Sequence, residues 1–209
     1  MNQAPPPDQS LKPALDALAR RDKDIARAYA VCGLPPVRRS PTGFEGLLHI
    51  VVCQQVSAAA GRAIMTRMEA ACPAMAAEAF LKLDDAALRA VGLSRQKMRY
   101  IRGLAEDLTS GRLDLDALGA LDDGAAIEQL TQVKGIGRWS AECYLLFALM
   151  RPDVWPADDL AVQAAAQRLK VLPARPTSKE LDALAEPWRP YRSAAARFLW
   201  HFYRHPGVV

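Results

Sequence analysis

The most chemically suggestive stretch of this 209-residue chain is Leu130-Thr-Gln-Val-Lys-Gly-Ile-Gly-Arg-Trp-Ser-Ala141, where one helical pattern meets Gly135-Ile136-Gly137 and a second begins at once. Glycine at both positions permits a positive φ and close approach of another backbone, and Ile136 can plug the space between the helices. The second helix then offers the N–H groups of its first turn to a phosphate. Val133, Lys134, Gly135, Ile136, Gly137 and Arg138 thus read as a helix-hairpin-helix that grips DNA backbone without reading sequence, with Lys134 and Arg138 as phosphate cations. An ordinary interhelical turn is the competing reading of Gly-x-Gly alone.

A second candidate is the carboxylate pair in Trp155-Pro-Ala-Asp-Asp-Leu-Ala-Val162. An Asp pair ahead of a helical pattern is also what N-capping requires, so Asp158 and Asp159 carry a structural reading beside the chemical one. Asp159 follows Gly137 by 22 positions. That leaves room for one helix and a returning loop, so its carboxylate could stand beside DNA held by the hairpin.

The elements that must position these groups are helical. Strand signals are nearly absent, while Ala, Leu, Arg and Gln recur at three- and four-residue spacings. The pattern predicts an all-α chain with a disordered tail over residues 1–10, helix from Leu11 to Cys32 and a Pro-rich connection from Gly33 to Gly43. Short helices follow from Phe44 to Met150, with Ser57 as an N-cap and Gly92, Gly103 and Gly111 near ends or turns. A second connection, Arg151 to Asp158, leads to a helix from Asp159 and a terminal helix from Pro190 to His205. The two Pro-rich joints predict two helical lobes, 11–42 with 153–209 and 43–152, with a cleft between them.

Composition narrows the partners. Hydrophobic residues make up 51% and charged residues 24%, which excludes a disordered or collagen-like chain. The net charge of +4 permits a polyanionic partner without demanding one. Cys32, Cys53, Cys72 and Cys143 include no Cys-x-x-Cys pair and read as reduced thiols. No secretory pattern and no apolar run of membrane-spanning length is present, so a cytoplasmic protein without a membrane partner is expected.

With these residues in view, the chain resembles the helix-hairpin-helix DNA glycosylase superfamily, whose members carry this hairpin followed by an essential aspartate after a Pro-rich loop. Val162, three residues on, matches the family pattern from Asp159 better than from Asp158, which marks Asp159 as catalytic and Asp158 as cap or neighbour. Bifunctional members have a Lys two residues after the second hairpin glycine; Trp139 stands there instead. The resemblance therefore implies a monofunctional enzyme that releases a base and leaves an abasic site. Nothing after Cys143 is a cysteine, so the iron–sulfur cluster of other branches is not implied.

Gly-Ile-Gly-Arg-Trp-Ser-Ala, Pro-Ala-Asp-Asp-Leu and Glu186-Pro-Trp-Arg-Pro-Tyr-Arg-Ser193 are similar to the alkylation-repair, 3-methyladenine DNA glycosylase II branch, over Leu11 to Arg204. By this resemblance no counterpart of the amino-terminal β-rich domain of some larger relatives is expected. N-alkylated purines such as 3-methyladenine and 7-methylguanine are cations, and an indole face attracts a cation by about 0.5–2 kcal/mol. Trp139 is thus implied as a pocket residue and Trp200 as a second pocket indole, with core packing as the alternative for Trp200 and the favoured reading for Trp155. His49 is a minor pocket candidate. Cys143 occupies the place where the best-known relatives have a tyrosine one turn after the pocket tryptophan.

Phe44 to Ser57 resembles the family segment that ends in a Gln pair before a capping Ser. By that resemblance Gln55 fills the gap left by a flipped base, Gln54 lies near the lesion or pocket entrance, and Ser57 sits at the DNA; helix-end hydrogen bonding is the alternative for the Gln pair. Arg95, Lys97, Arg99 and Arg102 are explained as well by a solvated helix face. The resemblance also implies a structural Na+ or K+ on the carbonyls of Thr131, Val133 and Ile136, no other cofactor, and a monomer acting on double-stranded DNA with alkylated bases. Competing functions are a non-catalytic DNA-binding hairpin module, a glycosylase for neutral deaminated or oxidised bases, and an Ala-rich helical interaction protein.

Overall fold

The computed structural model of the chain describes residues 6–205 and Gly207. As expected, it is all-α: α1 (Lys12–Arg21), α2 (Lys23–Cys32), α3 (Gly43–Cys53), α4 (Ala58–Ala71), α5 (Ala77–Leu81), α6 (Asp85–Val91), α7 (Arg95–Thr109), α8 (Asp123–Thr131), α9 (Arg138–Phe147), α10 (Leu160–Leu169), α11 (Ser178–Ala185) and α12 (Arg192–Tyr203). Among the described residues, the β pairing is one isolated bridge between Pro7 and Pro36. No described helix is long and apolar enough to cross a membrane.

The chain divides into two compact units, residues 1–39 with 150–209 and residues 40–149. The joints fall at Arg39/Ser40 and Leu149/Met150, three residues ahead of those expected at 42/43 and 152/153. Met150 adopts a left-handed conformation, with φ of 54°, at the second joint.

In the first unit, α10 packs on α12, and α1 packs on both α2 and α12. Leu15, Leu18, Ile25, Val162, Leu169, Phe198 and Phe202 form its core. The sequence pattern from Leu11 to Cys32 is split at Asp22, whose extended backbone ends α1 and whose carboxylate accepts N–H bonds from Asp24 and Ile25 to start α2. The tail expectation fails for residues 6–10. Asp8 caps a 3-10 turn, its N–H donates to Pro35 O at 2.7 Å, and its carboxylate meets Arg197 at 2.6 Å. Both side chains of that pair are 4% exposed, so breaking it would leave a buried charge without its partner. Residues 1–5 lie outside the described residues. The last helix is shorter than expected, starting at Arg192 after the Arg189–Pro190 cis bond.

In the second unit, α3 is the centre. It is apolar on nearly every side, with Phe44, Leu47, Leu48, Ile50, Val51 and Val52 buried, and it packs against α4, α7 and α9. The expected stop signals hold at Ser57, whose Oγ accepts the Ala60 N–H at 3.2 Å, at Gly92, which ends α6 in the left-handed region, and at Gly111 in a turn after α7. Gly103 is different: it lies inside α7, where tertiary packing overrides its weak helix propensity.

Candidate active site and nucleic-acid interface

The hairpin forms as its sequence requires. At the end of α8, the N–H groups of Gln132 and Val133 donate to Gln129 O and Leu130 O, tightening the last turn, and Ile136 N–H donates to Val133 O at 3.0 Å to close the hairpin. Leu130, Val133 and Ile136 are buried together as its apolar plug. Gly135 has φ of +96°, and a Cβ there would lie 2.4 Å from the Tyr100 ring. Glycine is therefore required twice over, by the backbone angle and by the aromatic ring of α7 against it. Gly137 caps α9 with no side-chain hydrogen bond among the described residues. That helix start exposes Lys134, Gly137 and Arg138, two cations beside the positive end of the α9 dipole.

Arg138 is oriented by a group the sequence did not single out. Its Nε donates to Glu142 Oε1 at 2.9 Å, with Arg138 66% exposed and Glu142 2% exposed. A buried carboxylate one turn along α9 thus anchors one edge of the guanidinium while most of the side chain faces solvent. Trp139 is 38% exposed, Ser140 and Cys143 are buried, and Tyr144, fully buried, accepts the Gly43 N–H at 2.9 Å.

The Gln54–Ser57 turn is tied to this hairpin. Gln54 Nε2 donates to Gly135 O and to Ser140 Oγ, both at 3.0 Å, so the side chain expected near the lesion spends its amide on the hairpin. Gln55 is exposed and left-handed, with φ of 53°, a strained conformation for a non-glycine residue. Beneath the turn's backbone, Lys97 Nζ donates to Val52 O at 2.6 Å and Gln54 O at 2.8 Å. It thereby satisfies the carbonyls left over at the end of α3. Burial pushes the Lys97 ammonium below its usual range. Gln54, Gln55, Val56, Gln96, Lys97 and Tyr100 line a cavity of about 290 Å3 beside the turn. Ser57, expected at the DNA, is the exposed N-cap of α4. His49 lies one turn before Cys53 on α3, with Nε2 3.8 Å from the sulfur.

In the first unit, the loop before α10 is held from several directions. Asp153 is gripped by Arg192 and Arg189, the Val154 N–H donates to Ser193 Oγ, and Gln163 Nε2 donates to Ala157 O. Trp155 is buried with its ring edge-on to Trp188 at 5.5 Å, the core role favoured for it. Asp159 then begins α10. Its Oδ1 accepts the N–H groups of Ala161 and Val162 at 2.9 and 2.8 Å and the indole Nε1–H of Trp200 at 3.0 Å. Three donors on one oxygen fix the rotation of the carboxylate. Asp159 is thus the N-cap of α10, and of the two roles expected for Asp158, cap or neighbour, the cap is corrected: Asp158 is exposed and takes the hydroxyl of Ser178. Trp200 is the partner of that carboxylate, and the Arg38 guanidinium stands 6.0 Å from the centre of its ring.

Sequence reasoning missed Lys97 as a support, Glu142, Ser140, Tyr100 and Arg38. The one available signal was on α7, where Lys97 and Tyr100 are three apart and share a side of the helix.

A hairpin shaped for backbone phosphate and a carboxylate locked at a helix start define a class. Residues 48–190 match the model of the HhH-GPD superfamily of base excision DNA repair proteins, and the chain belongs to that family. It is 35% identical over 161 residues to DNA-3-methyladenine glycosylase 1 of Schizosaccharomyces pombe, a match spanning 75% of this chain and 71% of that protein. The solved structure of the S. pombe 3-methyladenine DNA glycosylase Mag1 in complex with abasic DNA superimposes with a TM-score of 0.81 at 33% identity, over 90% of this chain and 94% of that one. A DNA-3-methyladenine glycosidase from Bacillus halodurans gives a TM-score of 0.81 at 32% identity, over 91% and 89%.

Proposed function

We propose that this chain is a monofunctional DNA glycosylase of base excision repair that removes N-alkylated, cationic purines such as 3-methyladenine and 7-methylguanine from double-stranded DNA and leaves an abasic site. The observation that carries the reading is Asp159, held through one oxygen by α10 and Trp200 in a chain that has Trp139, not lysine, two residues after Gly137. The hairpin and its cations take the backbone, Gln55 at the tip of its turn enters the stack, and the flipped base meets the indole of Trp139. Extrusion costs a few kcal/mol, least for a damaged base.

The positive charge on an alkylated base weakens its own N-glycosidic bond. When the bond breaks, its electron pair leaves with the base, which departs neutral. The cation developing at C1′ is stabilised by the fixed negative charge of Asp159. Water adds at C1′ and loses a proton, leaving a hydroxyl on the abasic sugar. No amine nucleophile enters the scheme, so the strand stays intact. Val133 O already accepts the Ile136 N–H, but a carbonyl has a second lone pair. Together with the carbonyls of Thr131 and Ile136 it would hold a monovalent Na+ or K+ that ties the hairpin to a phosphate. The protein works as a cytoplasmic monomer in this reading.

The test is release of free 3-methyladenine and 7-methylguanine from methylated duplex by wild type and Asp159→Asn at the same salt. Asparagine is an equally good N-cap, so the variant should fold and bind DNA yet lose release. Equal release by both proteins would remove Asp159 from the mechanism. Release by neither, with DNA binding intact, would favour the non-catalytic module or an enzyme for neutral damaged bases.

A further inference from the structure

The amino-terminal half of α7 has two working faces. Gln96, Lys97 and Tyr100 line the cavity beside the Gln54–Val56 turn. Arg95, Arg99 and Arg102, with Met98, face a second cavity of about 260 Å3 completed by Asp85 and Arg89 of α6. At 3.6 residues per turn the mean directions of the two sets differ by roughly 150°, so they stand on opposite sides of a helix about 10 Å across.

The second cavity concentrates charge. Four guanidinium groups share one carboxylate, Asp85, which pairs with Arg102 at 3.0 Å and reaches Arg89 at 4.0 Å. Arg102 is further occupied by Leu83 O. Arg95 and Arg99 are exposed and, among the described residues, have no acidic partner. They stand four apart on one helix, a like-charge spacing that destabilises it. A merely solvated face gains most by alternating signs, whereas an excess of three positive charges in this cavity compares with +4 for the whole chain. Guanidinium groups offer paired donors that match phosphate oxygens.

We propose that this arginine face binds backbone phosphates of the DNA strand opposite the lesion, an inference that rests on the reading of the chain as an enzyme of duplex DNA. The hairpin packs against Tyr100, so the strand it holds runs on that side of the Gln54–Val56 turn. Arg95 and Arg99 stand a helix width away, on the other side. Where the turn parts the bases of a duplex, the backbone met there is that of the complementary strand.

The experiment compares wild type with the Arg95→Ala/Arg99→Ala double variant, and with Arg95→Gln/Arg99→Gln as a second form. Binding is measured to a duplex carrying a stable tetrahydrofuran abasic-site analogue. Two lost phosphate contacts reduce the salt slope by about 1.8, so between 50 and 200 mM salt the variants should lose about twelve-fold less affinity than wild type. Neutral methylphosphonate linkages in the complementary strand should weaken wild type and leave the variants unaffected, while the same linkages in the lesion strand should weaken all three alike. Equal salt slopes, or a variant effect that follows the lesion strand, would overturn the proposal. Base release by wild type from methylated duplex is measured alongside. Its absence together with a strand-specific arginine effect would refute the glycosylase reading alone, and its presence without that effect would refute the arginine face alone.

Discussion

The hairpin of the second unit closes within a few residues, from the end of α8 at Thr131 to the first residue of α9 at Arg138, whereas the surroundings of Asp159 in the first unit are gathered from distant parts of the chain. Trp200 reaches the carboxylate from 41 positions later, Ser193 secures Val154 from 39 later, and Arg38, which stands before the second unit in the sequence, meets the ring of Trp200, which follows it. The contrast teaches that a backbone-gripping element can be specified locally by two glycines and a plug. A carboxylate held in one rotation needs donors the local chain cannot supply alone: α10 offers two N–H groups, and the third donor is tertiary.

The largest expected effect isolates that carboxylate. Asp159→Asn should lower base release by two orders of magnitude or more, on the scale seen when an electrostatic stabiliser of a transition state is lost. Its melting temperature should stay near that of wild type because the cap survives. Asp159→Ala should lose the same activity and about 1 kcal/mol of stability besides. A melting temperature equal to wild type in the alanine variant would show that the cap is not structural.

Next comes the local side of the comparison. Gly135→Ala places a Cβ against Tyr100 at φ of +96° and should destabilise the chain by more than about 2 kcal/mol in urea unfolding, with loss of DNA binding. Adding Tyr100→Ala should recover the steric part and leave the backbone part. Full recovery would mean that the positive φ costs nothing there.

A smaller effect tests the tertiary donor. Trp200→Phe removes the Nε1–H that Asp159 Oδ1 accepts while keeping an aromatic ring. Single-turnover release should fall about ten-fold, and stability by about 1 kcal/mol. Unchanged release would reduce Trp200 to packing.

The gentlest probe is acid. Asp8, Asp22, Glu180 and Glu186, carboxylates held below their ordinary range, lie in the first unit. Burial by itself would raise Asp8 and Asp22. The Ser10 hydroxyl and Arg197 outweigh it at Asp8, and Lys170 and the Trp188 N–H outweigh it at Asp22. A depressed carboxylate contributes stability that is complete above its unfolded value, about 4, and is lost as pH falls below it through the folded value. Acidification should therefore loosen the first unit as pH falls below about 4. Trp155, Trp188 and Trp200 report on the first by fluorescence and Trp139 on the second. Unchanged signals from Trp155, Trp188 and Trp200 through that range would contradict the contribution of these carboxylates.

Much of this was legible from residue order. Gly135 and Gly137 around Ile136, the cap at Ser57, the Asp pair that opens α10 and the Pro-rich joints are local signals, and the structure realises them within a few residues, with the cap on Asp159 rather than on Asp158. Gly103 was misread because a glycine signals a turn only where packing does not impose helix. Residues 6–10 looked like tail because Pro-rich polar composition says nothing of Arg197, far along the chain, which meets Asp8. Lys97 looked solvated because a sequence shows its charge but not the carbonyls of Val52 and Gln54 that draw it inward.

The sequence by itself therefore determined the helices, their two-part division and the hairpin, because each depends on torsion preferences, spacing and caps that act over a few residues. Only the tertiary structure decided that Trp200 holds Asp159, that Gln54 ties its turn to the hairpin, and that α7 carries a supporting lysine on one side and an arginine face on the other. Those arrangements depend on which surfaces meet when apolar faces are buried, and one-dimensional order leaves that open.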